Sequence, residues 1–262
     1  MPIPDHVHRF WRALDDRFGD VEPTWWGAVV TDARFAEVWD ANYARIDGAA
    51  PDLRVAEVAT ALLPALERVG SSTFHVVSFH AEATTGLLTD LSTLGHTLSW
   101  DLVMDLVGAS GEVADATVEE LTPGRELWDR VRASLDLFGV DAKVAPQLVE
   151  LDRALTVEGV KRWFGVRDRG GVLVSLAALV ELEGVGYLDN VVTFPGARGS
   201  GLASAITARI VEEARAGGAE HVCLFADPDD APVVRMYERL GFREVGRLAS
   251  TRGPAVDLQG VG

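Results

Sequence analysis

The chain has 262 residues, of which 48% are hydrophobic, 8% aromatic and 24% charged, enough apolar material for one large domain or two small ones and too much for a disordered chain. A single cysteine, Cys223, excludes an intrachain disulfide and a cysteine metal cluster, and the six histidines lack the spacing of a zinc site, so no metal is expected. Forty acidic against 24 basic residues give a formal charge of −16, which argues against a nucleic-acid partner and favours a cationic one.

In chain order, the opening Met-Pro-Ile-Pro-Asp-His lacks a basic region followed by an apolar one, so no secretory signal is expected. His6 and His8 read as solvent-exposed residues near the terminus. Apolar spacing predicts a helix over Arg54–Val69, then strand, loop, helix and a Leu94-Gly95 turn within Ser72–Thr97. That segment, laid without gaps over Gly218–Arg243, matches His75 to His221, Val76 to Val222, Phe79 to Phe225 and Leu94-Gly95 to Leu240-Gly241. The shared order of elements points to an internal duplication. Apolar periodicity lapses near Gly108–Gly111, which divides the chain into domains 1–110 and 111–262.

In the second half, a strand is predicted over Ala116–Leu121, helices over Glu126–Leu137 and Lys143–Leu155, and a strand over Trp163–Arg167. The apolar run Gly171–Phe194 carries Glu181 and Glu183 and is broken by Gly184 and Gly186. It therefore reads as two buried strands, Val172–Glu181 and Val185–Phe194, rather than a membrane span. Next come a helix over Gly199–Ala216, a strand over His221–Ala226 and a helix opened by Asp229, Asp230 and Pro232 that runs to Leu240. Strands over Phe242–Leu248 and Arg252–Leu258 close the chain. The expected product is a cytoplasmic α/β (α+β) protein, with helices packed on sheet and no membrane partner.

The chemically informative stretch runs from Val191 to Ala203, where a buried strand ends, a loop rich in glycine follows and a helix begins. The first turn of a helix has unpaired N–H groups and the positive end of the dipole, so it attracts an anion. Gly199 and Gly201 let the backbone approach that anion, and Arg198 adds a charged donor. Gly199-x-Gly201 followed by Asp227 at the end of the next strand also imitates a dinucleotide fingerprint. Ser204 replaces its third glycine, however, and too few β-α units follow for a Rossmann domain. A loop that merely turns the chain is the third reading.

Arg198-x-x-Gly201-x-Ala203, with Tyr237-Glu-Arg-Leu-Gly241-Phe242 downstream, resembles the paired signature of the GNAT N-acetyltransferases. The resemblance covers Ala116–Leu258 well and Thr24–Val103 as a degraded copy, so it implies two GNAT-like domains in tandem, each a mixed central sheet flanked by helices. It implies that backbone groups of Val191, Val192 and Thr193 pair with the pantetheine arm of acetyl-coenzyme A. Amides of Gly199, Ser200, Gly201, Leu202, Ala203 and Ser204 would cradle its pyrophosphate beside Arg198. Asp230 stands where the family usually has a cofactor-touching Asn; an anion there fits that contact poorly, and capping the next helix is its other reading. Tyr237 would protonate the departing thiolate, since a phenol of pKa about 10 is a competent donor to a thiol of pKa about 8.5.

The acceptor amine must lose a proton before it attacks. Asp189 is the candidate base, with Glu181 and Glu183 as acids able to act through a water. The first half departs from the family pattern at its loop, Ile46-Asp47-Gly48-Ala49-Ala50-Pro51-Asp52-Leu53, and carries Leu91 and His96 where the second has Tyr237 and Phe242. Trp25, Trp26, Trp39 and Tyr43 read either as core or as an aromatic face for a cation. The implied function is transfer of an acetyl or short acyl group from acetyl-coenzyme A to an amine, that of a cationic small molecule. A non-catalytic acyl-coenzyme A sensor or partner-binding module, and an enzyme acting on protein N-termini or lysines, stand as alternatives.

Overall fold

The computed structural model describes residues 3–108 and 113–255. Its chain groups into two compact units, Met1–Val103 with Val245–Gly262, and Met104–Glu244. The domain boundary expected from sequence, 110/111, falls outside the described residues. Residues from 245 onward group with the first unit.

The first unit contains α1 (Asp5–Asp15), β1 (Asp20–Pro23), β2 (Gly27–Thr31), β3 (Tyr43–Ile46), α2 (Val55–Val69), β4 (Thr73–Ser78), α3 (Thr85–Thr93) and most of β5 (Thr97–Leu106). β1, β2 and β3 are antiparallel neighbours, and β3 runs parallel to β4. α2 places Val55, Val58, Leu62 and Leu66 on one face, the i, i+3, i+7, i+11 spacing of a core-facing helix, and buries them against Val29, Ile46, Phe74 and Val76. Each such side chain contributes on the order of 1.5–3 kcal/mol by leaving water.

The second unit contains β6 (Glu119–Glu120), α4 (Arg125–Leu137), α5 (Val144–Val157), β7 (Lys161–Arg167), β8 (Leu173–Leu182), β9 (Val185–Thr193), α6 (Leu202–Ala216), β10 (His221–Ala226), α7 (Ala231–Arg239) and the start of β11 (Phe242–Pro254). β6 to β9 are successive antiparallel neighbours, and β9 runs parallel to β10. Leu176 and Ala178 of β8 pack with Val131, Leu135 and Val149 of α4 and α5. α6 packs on β8 and β9. β8 is thus covered on both faces, which explains why it reads as a continuous apolar run instead of an alternating one.

The order of elements repeats between the two units. In the register that lays His75 over His221, α3 falls residue for residue on α7, and α2 falls one residue from α6. Four local expectations change. The strand over Ala116–Leu121 shortens to Glu119–Glu120. α6 begins at Leu202, because Gly199 and Gly201 both take left-handed φ of +77° and +76° and cannot be its first turn. The two closing strands are one, β11, since no turn residues separate Leu248 from Arg252; its residues Ala249–Pro254 pair antiparallel with β4, while 256–258 lie outside the described residues. His6 and His8 sit on α1, where the apolar face of Val7 and Phe10 carries His6 into the buried interior and leaves His8 half-buried, 4.8 Å from the Phe79 ring. Among the described residues, no helix is long and apolar enough to cross a membrane.

Candidate functional site

The site begins with an irregularity in β9. Ala178 faces Asp189 and Leu176 faces Val192, so Asn190 and Val191 together oppose the single residue Ala177. Asn190 takes a left-handed φ of +51°, a conformation that Asn tolerates better than most residues. This is a β-bulge, which bends the strand that carries it. Pairing of β9 with β10 extends from Val185↔His221 to Leu188↔Leu224 and stops one residue before Asp189. Val191, Val192 and Thr193 thus continue β9 past its parallel neighbour with one edge unpaired, as a strand-like ligand requires.

Beyond Thr193 the chain forms a single 3-10 turn and then the Gly199–Gly201 loop. The N-cap of α6 is Gly201, and no side chain caps its first N–H groups. A Cβ at Gly201 would meet the Ala114 Cβ at 2.8 Å. α7 is different: the Asp230 carboxylate accepts from the Val233 N–H at 3.2 Å, an ordinary N-cap. Arg198 Nε donates to the Thr193 carbonyl at 3.0 Å, which folds the guanidinium over the end of β9.

These features border a groove of about 620 Å³. Val191, Val192, Thr193, Arg198, Gly199, Gly201, Leu202, Ala203, Ser204, Asp230 and Tyr237 all line it, whereas Ser200 and Asp189 do not. Tyr237 is 5% exposed, its ring edge-on to Phe242 with centroids 5.9 Å apart. Burial, followed by the charge of Asp230, raises the Tyr237 hydroxyl above the ordinary tyrosine pKa, so it stays protonated. Sequence reasoning missed Phe138, Ala197, Pro232, Val233, Met236 and Arg239 in the lining. Val233 and Met236 share a helical face with Tyr237, so periodicity carried their signal. Phe138, at the end of α4, is brought in by tertiary packing alone.

Asp189 lies in a different environment. Its Oδ2 accepts from Lys161 Nζ at 2.6 Å, and its Oδ1 accepts from the Asn190 backbone N–H at 2.8 Å. Lys161 is 2% exposed and also donates to Asp152 of α5. Burial works against the lysine charge, but the two carboxylates outweigh it and raise its pKa. Burial raises Asp152, with Lys161 pulling it back. Glu181 accepts from Arg162 at 3.3 Å, and Glu183 occupies the β8–β9 turn at φ +50°.

The first unit lacks the opening. β3 and β4 stay paired through Ile46↔Ser78, and the Phe79 N–H continues to the Ile46 carbonyl at 3.0 Å. Asp47 is tied to Arg45 and Arg12, and Asp52 is exposed. Arg54 caps α2 by position, but its backbone N–H goes to the Glu57 carboxylate at 3.1 Å, which sets an acid where an anion would sit. Leu91 and His96 are buried. The four aromatic residues form no common face: Trp26 and Tyr43 are core, Tyr43 donating to Asp15; Trp39 is stacked 4.0 Å under Arg252; Trp25 is exposed.

The Acetyltransferase (GNAT) family model matches residues 128–242. A comparison with curated proteins finds none that matches the chain. Among solved structures, a functionally unknown conserved protein from Staphylococcus epidermidis is similar at TM-score 0.66 and 12% identity, over 86% of this chain and 89% of that one. A GCN5-related N-acetyltransferase from Kribbella flavida is similar at TM-score 0.63 and 19% identity, over 94% and 95%. A tandem GNAT protein from the clavulanic acid biosynthesis pathway is similar at TM-score 0.52 and 15% identity, over 81% and 75%. At these identities the likeness is one of fold.

Proposed function

Residues 128–242 form an acetyltransferase domain of the GNAT family, and from that premise we propose that the chain transfers an acetyl or short acyl group from acyl-coenzyme A to an amine. The observation that carries this reading is the groove itself, which joins an unpaired strand edge, an uncapped helix N-terminus and a buried tyrosine. Its residues fit the donor. Gly199 and Gly201 present backbone without side chains, and the first amides of α6 have no protein cap to displace.

Acyl-coenzyme A supplies an activated thioester carbonyl and a thiolate leaving group. Val191–Thr193 would hold the pantetheine amides as an added strand. The amides from Gly199 to Ser204, with Arg198, would hold the diphosphate, and Ser200 would contribute through its backbone. Asp230 keeps its carboxylate on the Val233 N–H and so orients α7. Tyr237 holds the proton that the thiolate takes, at its hydroxyl oxygen. Asp189, the candidate base, has both oxygens engaged; we assign it to the shape of β9 and let the amine lose its proton to water. Catalysis then rests on orientation and leaving-group protonation.

The acceptor that suits a chain of charge −16 is a cationic small molecule. The test is a panel of polyamines, amino acids and lysine peptides, assayed for release of free thiol from acetyl-coenzyme A. Turnover with a small cationic amine supports the reading. Turnover confined to peptides supports a protein acetyltransferase, and tight donor binding without turnover of any amine supports a sensor.

A further inference from the structure

A lysine buried between two carboxylates is an expensive way to build a core. Replacing such a group by apolar side chains of similar volume is often neutral or stabilising. Lys161 is such a case: it lies at the start of β7, 2% exposed, between Asp152 and Asp189, with Nζ 4.9 Å from the Trp163 ring centroid. None of these groups lines the groove.

The network converges on one residue, Asn190. Its backbone N–H is taken by Asp189 Oδ1 at 2.8 Å. Its side-chain N–H donates to Asp152 Oδ2 at 3.3 Å, or, with the amide turned over, to Asp189 Oδ1 and Oδ2 at 2.8 and 2.9 Å. Asn190 is the left-handed residue of the bulge, a conformation that is costly for a residue with a Cβ unless its surroundings impose it. The bulge at Asn190 and Val191 begins two residues after the last β9–β10 pair, at Leu188, and opens the free edge Val191–Thr193. Lys161 fixes both carboxylates, Asp189 holds the Asn190 backbone N–H, one of the two carboxylates holds its side-chain amide, and Asn190 sets the direction in which β9 leaves its neighbour.

We propose that Lys161 and Asp152 are positioning residues for the acyl donor, holding the Asn190 bulge so that the edge of Val191–Thr193 stays open. The inference rests on the donor groove proposed above and assigns its geometry to charges that never touch the ligand. The lysine fixes the strand; it transfers no proton.

Lys161→Met alone leaves Asp152 buried without its partner and is expected to lower stability, so the informative variant is Lys161→Met with Asp152→Leu. This double variant should melt at or above the temperature of the unaltered chain. Its Kd for coenzyme A by titration calorimetry, and its KM for acetyl-coenzyme A, should rise roughly 10- to 100-fold, the scale of a small misplacement of binding groups. The KM for the amine and kcat at saturating donor should change little. Adding Asn190→Gly, which makes the left-handed conformation unstrained, should return the coenzyme A Kd to within about threefold of the unaltered value. A folded double variant whose coenzyme A Kd is unchanged overturns the proposal, and so does a loss of binding that glycine at position 190 does not restore. If the unaltered chain itself does not bind coenzyme A, the donor groove is misassigned and this proposal fails with it, an outcome visible before any variant is made.

Discussion

Leu188 of β9 and Leu224 of β10 are the last pair of the ladder between those two strands, whereas Ile46 and Ser78 keep β3 and β4 paired to their ends. The same order of elements therefore yields an open strand edge in one unit and a closed one in the other. Backbone N–H and C=O groups already committed to a ladder are not offered to a ligand.

Asp47→Ala and Asp52→Ala separate structure from binding in the first unit. Asp52 is solvent-exposed and its removal should leave the melting temperature unchanged. Asp47→Ala should lower it, because the buried Arg45 loses one of its two carboxylates. In both variants, the shift in melting temperature produced by saturating coenzyme A should equal that of the unaltered chain, as measured by differential scanning fluorimetry.

Tyr237→Phe isolates the hydroxyl. Among the described residues the Tyr237 oxygen makes no hydrogen bond, so its loss should leave the melting temperature and coenzyme A affinity nearly unchanged. Turnover should fall by about 100-fold, the usual scale for a lost general acid. A variant that matches the unaltered rate would remove the tyrosine from the chemistry.

The pH profile of turnover carries a separate signature. Without a protein base on Asp189, kcat/KM should climb as the amine deprotonates, toward an amine pKa of about 10. Burial raises the Tyr237 pKa above that of a free tyrosine, so no fall from its ionisation should appear below about pH 10. A plateau reached near pH 6 would indicate a protein base and return Asp189 to that role.

His75 sets an acid limit on stability. It is fully buried, its Nδ1 hydrogen bonded to the Thr251 carbonyl at 3.1 Å, and burial lowers its pKa from 6.5 to about 4, against the opposing pull of that carbonyl. Between those values the unfolded chain binds the proton and the folded chain does not. Stability from this group is complete above pH 6.5 and is lost as pH falls toward 4, by up to about 3 kcal/mol. His75→Gln should melt lower at pH 7.5 yet lose less on moving to pH 5, read by thermal unfolding at the two values.

Much of the second unit was legible in the sequence, because its signals are local. Glu183-Gly184 marks the β8–β9 turn, Asp230 with Pro232 opens α7, and Gly199-x-Gly201 sets the start of α6. What the sequence hid is non-local or aperiodic. The bulge lies in a strand, β9, whose residues show no strict alternation of buried and exposed positions, so nothing in the sequence singles out Asn190. Lys161 lies outside the strand expected over Trp163–Arg167, and its partners stand 9 and 28 positions away. The pairing of β11 with β4 joins residues 176 apart in the chain, as the His75–Thr251 hydrogen bond records.

Each chain is expected to hold one acyl-coenzyme A, in the groove built around Gly201. Titration calorimetry of acetyl-coenzyme A into the unaltered chain and into Gly201→Asp tests it most directly. Aspartate at this position meets the left-handed φ of +76°, a Cβ contact of 2.8 Å with Ala114 and the charge of the diphosphate at once. The expected result is one molecule bound per unaltered chain and no heat of binding for a folded Gly201→Asp. Two molecules per chain, or undiminished binding by the variant, would contradict it.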